Sequence, residues 1–173
     1  MGKTKQEREL FKSYEMDGFK FDKAQYNSNL RHEEAKKEDV KKIKNELSEA
    51  IFKELQKYGD FEFTTKSYAE GHLEILVTDK TGESILFRTV LNIDYEPPKE
   101  VQIPVLIVLE ELKHKGIGKK VISLTHEICK SNGYRLFIVD MVPNFYRKLI
   151  NRGALPIEGY DDVLEITDYT NLI

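Results

Sequence analysis

Val105-Leu106-Ile107-Val108-Leu109-Glu110-Glu111-Leu112-Lys113-His114-Lys115-Gly116-Ile117-Gly118-Lys119-Lys120 is the stretch that decides how this chain is expected to fold. It opens as an apolar run, passes through two glycines set among lysines, and continues at helical spacing. A strand that leads through such a turn into a helix brings several backbone N–H groups together at a helix N-terminus. These groups and the helix dipole attract anions, so the stretch predicts a turn that binds phosphate.

The composition fits one ordinary domain. The chain has 173 residues, 40% hydrophobic and 33% charged, which is enough for a sizeable core but tight for two domains. The formal net charge is −3, with a pI near 5.9. A general nucleic-acid binder normally carries a clear basic excess, so no nucleic-acid partner is expected.

Cysteine usage and the N-terminus indicate the compartment. Cys129 is the only cysteine, which excludes an intrachain disulfide and a cysteine-clustered zinc site. The first residues contain no apolar signal core, and no apolar run approaches membrane-spanning length. A soluble, cytoplasmic protein without a membrane partner is the expectation.

A long amphipathic helix is predicted from about His32 to Tyr58. Its apolar residues recur at steps of three and four and form one stripe: Val40, Ile43, Leu47, Ala50, Ile51, Leu55 and Tyr58. Gly59 and Asp60 follow directly and end it. Before this helix, apolar residues such as Leu10 and Phe11 are scattered without a clear period.

Three β-rich runs follow the helix and predict an antiparallel meander. They cover Phe61 to Tyr68, His72 to Thr78 and Ser84 to Ile93, and turn-forming residues separate them. A fourth strand, Val101 to Leu109, is apolar almost throughout, as expected for a strand buried on both faces. Pro104 has no N–H to donate, so regular pairing is expected to begin after it or to be irregular there.

The elements after the glycine turn alternate between helix and strand. The spacing predicts a helix from about Gly116 to Ser131, a strand from Tyr134 to Val142, a short helix from Pro143 to Ile150 and a last strand from Asp162 to Thr167.

This order of elements around Lys113-x-x-Gly116-x-Gly118 resembles the GNAT acetyltransferase family. The family signature is Arg or Gln, two residues, Gly, one residue, then Gly or Ala, and Lys113 stands at the position of the Arg or Gln. The resemblance covers roughly residues 101–167. It implies an α/β (α+β) fold with a GNAT-like mixed, mostly antiparallel central sheet flanked by helices, here with an extra N-terminal helical segment.

The resemblance also implies a cosubstrate, acetyl coenzyme A. In the family the glycine turn binds its pyrophosphate, the strand before the turn pairs with its pantetheine arm, and an N–H near Leu109 would polarise the thioester carbonyl. The expected cofactor-binding residues are Val108, Leu109, Lys113, His114, Lys115, Gly116, Ile117, Gly118, Lys119 and Asn144. Lys120 would add positive charge near the phosphates. His114 and His126 lack a paired ligand at metal spacing, so no metal is expected.

The catalytic residues implied are one acid and one base. Asn144-Phe145-Tyr146 resembles the Asn and Tyr of the family's short helix, where the tyrosine hydroxyl commonly protonates the departing thiolate. A carboxylate must accept the proton of the amine, and Asp94 and Glu110 are the first candidates, with Glu96 and Glu111 beside them. The acidic residues Glu158, Asp161 and Asp162 either attract a cationic amine or only keep the surface soluble.

The function expected is transfer of an acetyl group from acetyl coenzyme A to a primary amine of an unidentified acceptor. The alternative is a GNAT-shaped module that binds coenzyme A or another protein without turnover. Residues 1–31 are expected to form a polar, partly ordered N-terminal segment, and residues 32–173 a single acetyltransferase-like domain with its motif core at 101–167. A homodimer through the long N-terminal helix is a further alternative.

Overall fold

The structure is a computed structural model that describes residues 23–172, apart from the side chains of Lys23, Ala24, Tyr26 and Glu110. The expectations for Leu10, Phe11 and the rest of residues 1–22 lie outside the described residues. The chain divides into two compact units, Met1–Lys36 and Lys37–Ile173. Of the first unit, residues 23–36 are described and are helical. The division predicted between residues 31 and 32 stays a prediction.

The described residues 23–172 contain three α-helices: α1 (Lys23–Leu55), α2 (Ile117–Ser131) and α3 (Pro143–Ile150). Short 3-10 helices at Gln56–Tyr58 and Glu110–Leu112 follow α1 and precede α2. The stripe predicted for α1 is confirmed, because Val40, Ile43, Leu47, Ile51 and Leu55 are all buried. The predicted start at His32 was wrong, since the helix begins at Lys23. The described side chains before residue 36 are exposed and show no apolar stripe that the sequence pattern could have revealed.

The described part of the chain contains seven strands: β1 (Glu62–Lys66), β2 (His72–Thr78), β3 (Ile85–Asp94), β4 (Glu100–Val108), β5 (Arg135–Ile138), β6 (Leu155–Pro156) and β7 (Leu164–Ile166). They form one sheet in the order β1-β2-β3-β4-β5-β7-β6. The β4–β5 pair is parallel and the other pairs are antiparallel. The mixed, mostly antiparallel sheet flanked by helices is therefore confirmed. The two-residue β6 was not predicted.

The core forms where α1 and α2 lie side by side. Near the end of α2, the side-chain amide of Asn132 donates to Glu46 (2.7 Å) and accepts from Lys42 (2.9 Å). At the start of α2, Lys120 contacts Tyr58, just after α1. The two helices therefore run in opposite directions, and their buried residues share one cluster with Ile75, Phe87, Val101, Ile103, Leu136 and Ile138 of the sheet. Cys129 is fully buried in this cluster, as expected for a core residue.

The irregularity expected at Pro104 is confirmed. Val90 pairs with Val105 and Asn92 with Gln102, so two residues of β4, Ile103 and Pro104, stand opposite one residue of β3. Such a bulge reverses which side chains face each side of the sheet. Val101 and Ile103 belong to the core before the bulge, and Leu106 and Val108 pack against it after the bulge.

Candidate functional site

β4 and β5 separate at the bulge. They pair only from Glu100 with Arg135 to Ile103 with Ile138, and a last hydrogen bond runs from the Val139 N–H to the Ile103 carbonyl (3.2 Å). β4 continues to Val108 beside β3, while the chain after β5 leads to α3. We call the opening between residues 105–108 and residues 139–142 the fork. Its start coincides with Pro104, which cannot donate to a ladder.

The hydrogen-bond pattern tells which backbone groups of β4 face the fork. The Leu109 N–H donates to the Leu86 carbonyl (2.9 Å), in line with the register that places Phe87 opposite Val108. Antiparallel strands alternate between bonded and non-bonded pairs, so Ile107 also bonds toward β3. The N–H and C=O groups of Leu106 and Val108 therefore point away from β3 and into the fork. The Leu109 N–H, near which a polarising group was predicted, is thus bonded to β3, and the polarising role itself stays a prediction.

The glycine turn follows β4 directly. The N–H groups of Leu112 and Lys113 both donate to the Leu109 carbonyl, at 2.9 and 3.0 Å. His114 and Gly116 have positive φ values of 62° and 75°, and Gly116 caps α2 without a side-chain hydrogen bond. The conformation of Gly116 is one that residues with a Cβ adopt only with strain.

The first turn of α2 presents N–H groups that have no partner within the helix. The first bond into this helix runs from the Lys120 N–H to the Gly116 carbonyl (3.1 Å). The N–H groups of Ile117, Gly118 and Lys119 precede it and lie at the positive end of the helix dipole. The side chain of Ile117 is buried, so this residue offers only its backbone. We call residues 113–119 the cradle.

The cradle and the fork are adjacent. A Cβ added to Gly118 would lie 3.8 Å from Leu106 Cδ2 and 3.9 Å from Val108 Cγ2. These are ordinary van der Waals distances, so packing against β4 leaves room for alanine at this position. The structure thus brings Val108, Leu109 and the cradle together.

The lysines around the cradle divide into two sets. The side chains of Lys113 and Lys115 are exposed and that of Lys119 is half-buried. Lys120 donates to the Tyr58 hydroxyl (2.6 Å) and lies 3.4 Å from Glu54 Oε1. The charge predicted for Lys120 near the phosphates stays a prediction.

Glu54 is a residue of this region that the sequence did not single out. It is 7% exposed, and Lys57, Tyr58 and Lys120 all contact its carboxylate. Burial acts to raise the pKa of Glu54, but the hydrogen bonds and charges of Lys57 and Lys120 outweigh burial and leave the pKa below its ordinary value. The hydrogen bond to Tyr58 raises the pKa of Lys120. Glu54 could have been noticed as an acidic residue in the last turn of a helix, where the dipole disfavours it.

Tyr146 and Asn144 lie on α3, which begins after the fork. The Tyr146 side chain is half-buried and packs against the core. The Asn144 side chain is exposed, and its Oδ1 accepts a hydrogen bond from Arg147 Nη2 (2.6 Å). The amide oxygen of Asn144 is thus occupied within α3.

The structure separates the two carboxylates proposed as the base. Asp94 pairs with Glu100 at the start of β4, and its carboxylate accepts the Glu96 N–H (2.9 Å). The cradle follows the other end of β4, roughly 26 Å away at the usual rise of a strand. Asp94 therefore does not share a site with the cradle. Glu110 follows the fork in the chain, but its side chain lies outside what the structure describes.

A cavity of about 530 Å³ lies beyond the closed end of the fork. β4 lines it with Glu100 and Gln102, β5 with Arg135 and Phe137, and the chain after β5 with Val139 and Asp140. Side chains of residues 157–163, between β6 and β7, complete its lining. The sequence analysis missed this cavity, apart from naming Asp162.

The described part of the chain contains no group of three or more His, Cys, Asp and Glu side chains that could hold a metal ion. Among the helices of residues 23–172, none is both long and apolar enough to cross a membrane.

Comparison with known proteins gives structural matches. AtaTR bound with AcCoA is 15% identical over 56% of this chain and 68% of its own, with a TM-score of 0.44. Glucosamine-6-phosphate N-acetyltransferase from Arabidopsis thaliana is 24% identical over 64% of this chain and 74% of its own, with a TM-score of 0.35. The GNAT family N-acetyltransferase YhbS from Escherichia coli, in complex with CoA, is 15% identical over 72% of this chain and 71% of its own, with a TM-score of 0.36.

The chain has a GNAT-like fold. The resemblance noted from the sequence is confirmed at this level, through the strand order and the parallel β4–β5 pair described above. At these identities and TM-scores the similarity concerns the fold alone. No family model and no curated protein matches the chain.

Proposed function

We propose that this GNAT-like domain binds acetyl coenzyme A across the fork and the cradle and transfers its acetyl group to a primary amine. The observation that carries the proposal is the meeting of two features. Leu106 and Val108 direct backbone donors and acceptors into the fork, and the first turn of α2 lies against the same two residues. An extended ligand with amide groups at one end and phosphates at the other matches both features.

The cradle supplies the anion-binding half of this site. The N–H groups of Ile117, Gly118 and Lys119 lie at a helix N-terminus, and Lys113 and Lys115 place positive charge near it. Gly116 allows the turn to reach this geometry through its φ of 75°. The backbone is expected to give the shape of the phosphate site, and the exposed lysines its long-range attraction.

The fork supplies the acyl half. Acetyl coenzyme A brings an activated thioester, whose carbonyl the Leu106 N–H, which lies nearer the closed end of the fork, is suited to polarise. The amine nitrogen bonds to the carbonyl carbon as the carbon–sulfur bond breaks. Asp94 and Glu110 are the candidates for the base that accepts the proton of the amine, and we assign Tyr146 as the acid that donates a proton to the departing sulfur.

A second candidate function is a domain that binds coenzyme A without turnover. One observation favours it. The carboxylate of Asp94, one of the two considered as the base, already accepts a hydrogen bond from the Glu96 N–H (2.9 Å).

Two measurements on the full chain separate these functions. Isothermal titration with acetyl coenzyme A should give saturable binding, and no heat at high micromolar concentrations would exclude the proposed cosubstrate. A thiol-release assay with a set of primary amines then tests turnover. Release that depends on the amine supports the transferase, whereas binding without such release supports the non-catalytic domain.

A further inference from the structure

The net charge that a ligand in the cavity beyond the fork would meet differs from the sum of the charges of its lining residues. Arg135 is the basic side chain among its lining residues. The Arg135 guanidinium forms a bidentate pair with Glu165, with both N–O distances at 2.8 Å. Glu165 does not line the cavity, so the positive charge of Arg135 is already neutralised from outside.

Three carboxylates line the cavity and can interact with a ligand that binds there. Glu100 lies at the start of β4, and its Oε1 is 3.9 Å from Arg135 Nη1. The Arg135 guanidinium already has Glu165 as its bidentate partner. Asp140 follows β5 at the fork, and Asp162 lies at the same end, two residues before Leu164, which pairs with Ile138. With Arg135 paired, the field inside the cavity is negative and favours a cation.

The wall between these carboxylates is apolar and aromatic. Phe137 is 5% exposed and lies between Arg135 and Val139 along the strand, and Tyr160 presents an exposed ring from the opposite wall. From Arg135, opposite Glu100, to Val139, beside Asp140, the strand rises by roughly 13 Å. Negative charge at both ends of an apolar wall suits an elongated ligand with ammonium groups joined by methylenes. The volume of about 530 Å³ is in the range of small-molecule sites.

We propose that this cavity binds the acceptor, and that the acceptor is a linear aliphatic polyamine, a primary amine joined by methylenes to at least one further ammonium group. This inference rests on the proposed function for its chemistry. The reacting nitrogen lies toward Asp140 and the fork and loses its proton before attack. The distal ammonium keeps its charge and is held by Glu100.

The test compares spermidine with butylamine, a monoamine whose methylene chain carries no second charge. We expect a larger kcat/KM for spermidine than for butylamine, with a preference that shrinks as salt is raised. Glu100→Gln should lower kcat/KM for spermidine about threefold, because an exposed ion pair contributes at most about 1 kcal/mol. The loss for butylamine, which carries no second charge, should be smaller.

Asp161→Asn is the matched control, since Asp161 is an exposed neighbour that does not line the cavity. Equal kcat/KM values for the two amines, or equal effects of Asp161→Asn and Glu100→Gln on spermidine, would overturn the inference. NMR titration with spermidine alone, read at the Phe137 and Tyr160 ring protons, separates this inference from the proposed function. Shifts there without any acetyl transfer would support the cavity as a polyamine site and contradict the transferase. Acetyl transfer without these shifts would support the transferase and contradict the cavity as a polyamine site.

Discussion

Lys120 Nζ lies 3.4 Å from Glu54 Oε1, and this contact joins the start of α2 to the end of α1. Both charges are on the helix end that the dipole disfavours, an anion in the last turn of α1 and a cation in the first turn of α2. Each compensates the other, and the Tyr58 hydroxyl bonds to both. The cradle is therefore attached to the long helix through a pair of side chains.

Replacing Glu54 by Gln should lower the free energy of unfolding by about 1–2 kcal/mol at pH 7, because a buried carboxylate with charged partners becomes a neutral amide. The pKa of Glu54 is lowered in the folded protein, so its contribution is complete above the unfolded pKa and disappears as the pH falls through the folded pKa. Urea denaturation should show a smaller difference in the free energy of unfolding between the unchanged protein and Glu54→Gln at pH 3 than at pH 7. Glu49→Gln, at an exposed site of α1, should leave stability unchanged at both values. Equal stabilities of the two variants at pH 7 would rule out the role of Glu54.

Gly116 and Gly133 offer a matched pair of backbone positions, each with φ of 75°. Alanine at either should destabilise the protein by about 1 kcal/mol through backbone strain. Only Gly116→Ala should also weaken binding of acetyl coenzyme A, since Gly133 follows the other end of α2. Calorimetry gives both quantities for each variant. A parallel loss of affinity in Gly133→Ala would show that strain alone, and not the cradle, is being measured.

Tyr146→Phe should lower kcat by about a hundredfold if its hydroxyl donates the proton to the departing sulfur, within the usual range of general acid catalysis. The affinity for acetyl coenzyme A should stay the same, because the ring still packs against the core. Tyr169→Phe, at an 88% exposed site, is the control. An unchanged kcat in Tyr146→Phe would remove this residue from the chemistry.

Features with a local chemical cause could be predicted from the sequence. Pro104 lacks an N–H, and the pairing of β4 is irregular there. Gly116 has no Cβ and therefore adopts a positive φ without strain, and it caps the N-terminus of α2. The period of the apolar residues identified α1 because it reports which face is buried.

Features that depend on distant pairing could not be predicted. The direction of the Leu109 N–H follows from the β3–β4 register, which the bulge at Ile103 and Pro104 shifts. The partner of Lys120 is Glu54, far away in the chain. Glu100 and Asp162 both line the cavity, but they come from distant segments of the chain. No local sequence pattern predicts how these segments pack.

Amide hydrogen exchange along β4, followed by NMR with and without acetyl coenzyme A, tests the central claim most directly. In the protein alone, the amides of Ile107 and Leu109 should exchange slowly, because they bond toward β3, and those of Leu106 and Val108 should exchange quickly. Adding acetyl coenzyme A should slow exchange at Leu106 or Val108, the groups that face the fork, and leave Ile107 and Leu109 as they were. Saturating ligand with no added protection at either Leu106 or Val108 would contradict binding of acetyl coenzyme A along the open edge of β4.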